Sequence, residues 1–178
     1  MNRRLEGRAA IVTGAAAGIG RAIAGRFAAE GAAVVAVDRN AEDLTAAAEA
    51  IAAEGGRVHA LLEDVSAHGA ADRIVETCLG AFTALDVLVN NAGIGGSHDL
   101  LNTSDEEWKR IFEVNLTSVF HLCRRAIPEM CARRRGCIIN IASVFGAVAF
   151  PGATSYSASK AALVALTRSI AVDYARLV

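Results

Sequence analysis

Proline and aromatic side chains are scarce in this chain of 178 residues, which holds two prolines, one tryptophan, two tyrosines and six phenylalanines. So little proline excludes a collagen-like or proline-rich chain, and the abundance of Ala, Val, Ile and Gly suits alternating strands and close-packed helices. Net charge is nearly absent too: at −1 there is no global field to recruit nucleic acid or an anionic membrane, and neither partner is expected. The basic run Arg133-Arg134-Arg135 is local and precedes Gly136, as cations at a helix C-terminus do. Cys78, Cys123, Cys131 and Cys137 form no Cys-x-x-Cys pair, and His59, His68, His98 and His121 fall at no metal-site spacing. Reduced core cysteines and no metal are therefore expected. The longest apolar stretch, Cys137 to Ala153, is interrupted by Asn140, Ser143 and Gly146 and is too short and polar to span a bilayer. The N-terminus, MNRRLEGRAAIVTG, lacks the long apolar core of a secretory signal, so the cytoplasm is the expected compartment. The length suits one domain over residues 1–178, able to bury roughly 70% of its unfolded surface.

What is present is an alternation of short apolar runs and helical patterns. Arg8 to Thr13 reads as a strand that enters TGAAAGIGRAIAGRFAAEG, where glycines mark a turn and Ile19, Ile23 and Phe27 recur at helical spacing. Gly14 permits the tight turn, Gly18 lets the backbone approach a phosphate, and Gly20 lets the helix lie close to the strand. The helix N-terminus then offers free N–H groups to an anion. The spacing Gly-x-x-x-Gly-x-Gly is one residue longer in its first gap than the common dinucleotide fingerprint. Its place, after a strand and at the head of an amphipathic helix, is the confirming context.

Gly31 ends that helix, and Ala33 to Val37 makes a second strand capped by Asp38. An acid about 20 residues beyond the turn can accept hydrogen bonds from an adenosine ribose. Its carboxylate repels a 2′-phosphate and favours NAD over NADP. Arg39 next door is able to pair with that phosphate, but Ala15, Ala16 and Ala17 put no basic residue in the turn, and NAD remains the expected cofactor.

Glu42 to Glu54 is an Ala-rich helix ended by Gly55-Gly56, and Arg57 to Leu62 is a third strand. Asp64 beyond it either accepts from an adenine amino group or caps a helix. Ala70 to Phe82 is helical, and Leu85 to Val89 is a fourth strand that opens into Asn90-Asn91-Ala92-Gly93. This alternation predicts a parallel sheet with helices on both faces. Ser104 and Glu107 read as a capping box, which makes the acids there structural. A long helix is expected from there to Arg134, with Asn115 in its middle as either exposed filler or a buried residue with a task. Gly136 to Ala142 is a fifth strand, and Pro151-Gly152 turns the chain into a last helix carrying Tyr156 and Lys160.

Tyr156 and Lys160 lie one turn apart on one helix face. A phenol is a poor base near neutral pH, and a cation roughly 6 Å away at an effective dielectric near 20 favours the phenolate by about 2.8 kcal/mol. A second cation, such as an oxidised nicotinamide ring, would extend the effect. Ser143, at the end of the fifth strand, offers a hydroxyl to a substrate oxygen in the same pocket, and Val144, Phe145, Val148 and Phe150 suggest an apolar wall beside it. Tyr and Lys four apart also occur by chance on surface helices, so the pair gains its meaning from the upstream chain.

Together Thr13-Gly14-x-x-x-Gly18-Ile19-Gly20, Asn90-Asn91-Ala92-Gly93, Asn115, Ser143 and Tyr156-x-x-x-Lys160 resemble the short-chain dehydrogenase/reductase family, in the family's order and over nearly the whole chain. The resemblance implies a three-layer, doubly wound, Rossmann-like parallel sheet in a dinucleotide-binding and catalytic domain. It also implies hydride transfer between NAD(H) and an alcohol or ketone. Tyr156 would be the general acid/base, Ser143 would stabilise the substrate oxygen, Lys160 would hold the nicotinamide ribose, and Asn115 would open its helix and seat a relay water. Gly14, Gly18, Ile19 and Gly20 would line the pyrophosphate, Asp38 with Arg39 the adenosine ribose, Asp64 and Val65 the adenine, and Asn91, Ala92 and Gly93 the other side of the cofactor. Subunits of the family pair through helices that here begin near Ser104 and Tyr156, giving homodimers or homotetramers.

Members of that family continue beyond the Tyr-Lys helix into two further strands and a loop over the substrate, whereas this sequence stops at Tyr174-Ala175-Arg176-Leu177-Val178. The first five strands are expected without the last two. The alternative to an active oxidoreductase is a catalytically silent dinucleotide-binding or assembly module without a substrate cover.

Overall fold

A computed structural model describes residues 3–177. Five strands, β1 (Ala9–Thr13), β2 (Ala33–Asp38), β3 (Arg57–Leu62), β4 (Val87–Asn90) and β5 (Cys137–Asn140), form one parallel sheet in the order β3-β2-β1-β4-β5. The helices are α1 (Gly18–Ala29), α2 (Ala41–Ala53), α3 (Ala70–Phe82), α4 (Asp105–Phe112), α5 (Ser118–Arg133) and α6 (Thr154–Tyr174). The sheet grows from β1 to β3 on one side and resumes with β4 and β5 on the other. The order therefore reverses between β1 and β4, where sheets of this kind leave a crevice at the strand C-termini.

The strand period of two divides the core into two layers. Ala10, Val12, Val34, Ala36 and Val89 pack with Ala24 and Ala28 of α1 and Leu44 and Ile51 of α2. On the other face Ile11, Val35, Val37 and Leu88 meet Ile74 of α3, Leu122 and Ala126 of α5 and Leu163 of α6. Each fully buried Val, Ile or Leu contributes roughly 1.5–3 kcal/mol. Both faces are covered, which is why β1 is buried along its whole length and reads as a continuous apolar run. The result is a three-layer, doubly wound α/β fold.

Several boundaries differ from the sequence expectation. The fourth strand begins at Val87 rather than Leu85, because Asp86 serves as a staple. Its Oδ2 accepts from Ala9 N at 2.8 Å and its Oδ1 from Arg135 Nε at 2.6 Å, while its backbone carbonyl accepts from Cys137 N at 2.9 Å. Arg135 therefore pairs with Asp86 instead of only facing a helix dipole, and Arg134 (φ 51°) takes the left-handed C-terminal position of α5. The expected long helix is interrupted between α4 and α5 by a π turn over Glu113–Thr117. The four cysteines are free, but they are not all core residues: Cys78 and Cys123 are buried, Cys131 is half-buried and Cys137 is exposed. Burial pushes the Cys78 and Cys123 thiols up to about 12 and about 11.

Candidate functional site

The glycine turn joins β1 to α1 at the reversal point. Gly14 has φ 66°, and a Cβ there would lie 2.7 Å from Asn91 Nδ2. Gly20 presses on this turn so closely that a Cβ would stand 2.0 Å from the Gly14 carbonyl oxygen. Gly18 (φ 53°) has nothing within 4 Å of its Cβ position, and Ala17 provides no side-chain cap to α1. Unclaimed N–H groups thus face open space at the positive end of a helix, a suitable cradle for phosphate. Ile19, 62% exposed, stands beside it.

Two contacts hold the turn in place. Asp38 Oδ2 accepts from Ala16 N at 3.1 Å and Oδ1 from Asn40 N at 3.0 Å, so the carboxylate is fixed at the end of β2. Asn91 Nδ2 donates to the carbonyls of Thr13 (2.9 Å) and Gly14 (3.2 Å). The amide nitrogen of the Asn91 side chain is therefore spent on buttressing the turn. Thr13, buried, accepts from Asn91 N and Ala92 N at 3.0 and 3.1 Å and joins the end of β1 to the loop after β4.

A cleft of about 140 Å³ lies beside the turn, lined by Gly14, Asp38, Arg39, Asp64, Val65, Ala92, Gly93 and Arg110 among others. Asp64 neither caps α3, whose N-cap is Gly69, nor stands free. Desolvation alone would raise its carboxyl, but hydrogen bonds from the Ser66 hydroxyl and amide and from Arg110 outweigh that and hold it below its ordinary value. Arg110, which the sequence reading missed, also donates to Ser66 Oγ at 2.6 Å and ties this wall to α4. Arg39 stays loose, with its guanidinium 3.9 Å from Asp64 and its side chain 61% exposed.

Across Gly93 lies the second half of the site. A Cβ at Gly93 would sit 3.3 Å from Asn115 Oδ1 and 3.5 Å from Lys160 Nζ, so glycine lets these two groups flank the strand-end loop. Asn115, fully buried, accepts from Ile94 N at 2.8 Å and donates to Ile94 O at 2.9 Å and Ser159 Oγ at 3.1 Å. The buried alternative for Asn115 holds: the π turn carries its side chain into a network that joins the loop after β4, the helix and α6. Lys160 is buried, donates to Ile141 O at 2.7 Å, and is pushed below its ordinary value by that burial. Its Nζ lies 5.8 Å from the Tyr156 ring centroid, close to the separation assumed from helical spacing.

Ser143 starts a one-turn 3₁₀ helix, Val144–Gly146, and its Oγ accepts from Phe145 N at 3.2 Å. That turn packs on α6: a Cβ at Gly146 would lie 2.9 Å from the Lys160 backbone, and Phe145 meets Tyr156 edge to face at 6.2 Å. Phe150 stacks on Phe145 at 4.8 Å, and Val144, Val148 and Phe150 remain exposed. Asn115 and Lys160 thus meet at Gly93, Lys160 lies beside Tyr156, and the Ser143 turn reaches Tyr156 through Phe145. Gly93 was legible only as part of the Asn90-Asn91-Ala92-Gly93 segment, and Gly146 gave no sign of its close approach to α6, because that contact joins distant segments. The capping box forms only by half: Ser104 Oγ accepts from Glu107 N at 3.1 Å, but the Glu107 carboxylate turns to Ser155 and His98.

A family model described as short chain dehydrogenase matches residues 8–177. The chain belongs to this family. Among its relatives are 2-(R)-hydroxypropyl-CoM dehydrogenase of Xanthobacter autotrophicus, 43% identical over 94% of this chain and 69% of that protein, and cyclopentanol dehydrogenase of Comamonas testosteroni, 41% identical over 97% and 69%. A solved structure of NAD+-bound xylitol dehydrogenase superposes with a TM-score of 0.93 at 32% identity, covering 97% of this chain and 66% of that one. A short chain dehydrogenase from Mycobacterium smegmatis gives 0.93 at 39% identity, with 97% and 73% covered. The chain spans about two thirds of the length of such relatives.

Proposed function

We propose that the protein is an oxidoreductase that transfers a hydride between NAD(H) and the carbinol or carbonyl carbon of a small alcohol or ketone. The observation that carries this reading is the grouping of Tyr156, Lys160 and Asn115 around Gly93, at the same strand ends as the uncapped glycine turn. The dinucleotide supplies or accepts the hydride when bound. The open N–H groups at Gly18 fit its pyrophosphate, and the cleft between Asp38 and Asp64 fits its adenosine.

Tyr156 exchanges the proton of the substrate hydroxyl, with Lys160 as the cation that stabilises the phenolate. Ser143 donates to the same oxygen as charge develops there. Lys160 would hold the nicotinamide ribose when the dinucleotide is bound, and Asn115 fixes the loop at Ile94 and would seat a water that relays protons past Lys160. The carboxylate of Asp38, held rigid by two backbone amides, disfavours a 2′-phosphate and selects NAD. Exposed Trp108 and Phe120 support pairing of subunits through the α4–α5 region and α6. No helix among the described residues is long and apolar enough to cross a membrane.

The test is NAD-dependent oxidation of a panel of secondary alcohols by the wild-type protein and Tyr156→Phe. The variant should lose roughly 10²-fold to 10⁴-fold in turnover and still bind NADH. Equal activity in the two proteins contradicts the assignment.

A further inference from the structure

The carboxylate of Glu107 joins three segments that the reaction just proposed does not itself explain. Its Oε1 accepts from Ser155 Oγ at 3.2 Å, and its Oε2 pairs with His98 Nδ1. Ser155 is fully buried in the first turn of α6, one residue before Tyr156. His98 belongs to the loop between Gly93 and α4, and its carbonyl accepts from Thr154 N at 3.4 Å. Gly96 of the same loop lies against this pair: a Cβ there would stand 2.6 Å from Ser155 Oγ and 2.9 Å from Glu107 Oε1. Gly96 has no positive φ, so the glycine provides space.

Capping α4 does not account for this arrangement, because Ser104 caps the helix through the Glu107 backbone N–H and leaves the carboxylate free. Apart from the Asn115 bonds at Ile94 and the backbone bond to Thr154, the loop is lightly anchored, with Leu100 and Leu101 73% and 94% exposed. Removal of the carboxylate would leave a buried hydroxyl without its acceptor and the loop held mainly by backbone contacts.

We infer that Glu107 is a positioning residue that clamps the 94–103 loop to the start of α6, and so sets the substrate-side wall next to Tyr156. This rests on the reading of Tyr156 as the acid/base group. The clamp acts on the alcohol or ketone, and the glycine turn lies outside its reach.

The experiment compares wild type with Glu107→Ala, Glu107→Gln and His98→Ala, by steady-state kinetics, NADH titration and amide hydrogen exchange. Glu107→Ala should raise the KM for the alcohol and lower kcat/KM roughly tenfold or more, since small misplacements of reacting groups cost this much. Its NADH affinity should be unchanged, and exchange should quicken in residues 94–103. Glu107→Gln should recover much of the loss, because its carbonyl still accepts from Ser155 and its amide can still reach the His98 ring. His98→Ala keeps the Ser104 cap and the Ser155 contact, and should reproduce the faster loop exchange even if Glu107→Ala fails to fold. Unchanged alcohol KM and unchanged loop exchange in these variants overturn the inference. A wild-type protein that turns over no alcohol counts against the proposed reaction, while the exchange measurement still decides whether the clamp exists.

Discussion

At the scale of single residues, Lys160 is the site lysine that burial works against. Its ammonium is buried with Ile141 O as its hydrogen-bond acceptor, and desolvation lowers it from the ordinary 10.5. Between the folded value and 10.5 the unfolded chain binds more protons than the native one, so stability rises with pH across that window. Below the window both states are charged and the fold carries the full cost; above it neither is charged. Lys160→Met should therefore lack this alkaline rise when unfolding by urea is followed from neutral pH upward, and it should also lose turnover. A rise equal to that of wild type would show that the ammonium is well solvated. The direction of such side chains was only partly legible beforehand. Helical spacing placed Lys160 beside Tyr156, but that Asn91 would turn its amide onto Thr13 and Gly14 depends on β1 and β4 meeting in space.

At the scale of elements, periodicity and punctuation marked the five strands and the helices between them, with α4 and α5 read as one, because each buried face repeats every two or about 3.6 residues. The glycine turn was legible for the same reason, its three glycines being adjacent in sequence. Misread places were those where a tertiary contact overrides local preference. Asp86 shortens β4 from its start and Glu107 leaves its capping role for α6, whereas the π turn at Asn115, bonded to Ile94 and Ser159, is the local opening of the helix that the family resemblance implied. Asp86 gives the clearest test of an element-scale device, since its side chain is 2% exposed and joins the starts of β1, β4 and β5. Asp86→Ala should cost about 3 kcal/mol, mostly from the stranded Ala9 amide and the lost charged hydrogen bonds, with the half-exposed Arg135 recovering water. Urea unfolding should show a lower midpoint at unchanged slope; an unchanged midpoint would mean the strand ends are held by packing alone.

At the scale of the whole molecule, the doubly wound sheet concentrates chemistry at one end. The uncapped turn after β1, the acid that ends β2, the cleft after β3 and the Asn115–Lys160 pair around the loop after β4 all open at the strand C-termini. Loops there are free to vary while the sheet fixes their roots, and in the proposed reading this lets residues as distant as Gly14 and Lys160 face one dinucleotide. The same end carries the apolar residues Val144, Val148 and Phe150, which suit an uncharged substrate better than an ionic one.

The most direct test of this account is a fluorescence titration of the protein with NADH, with NADPH as the comparison. Saturable binding, at least about tenfold tighter for NADH, is predicted from the fixed carboxylate of Asp38 at the ribose position. Failure to bind either dinucleotide, in a chain that still unfolds cooperatively, would contradict the claim that these strand ends form a working cofactor site.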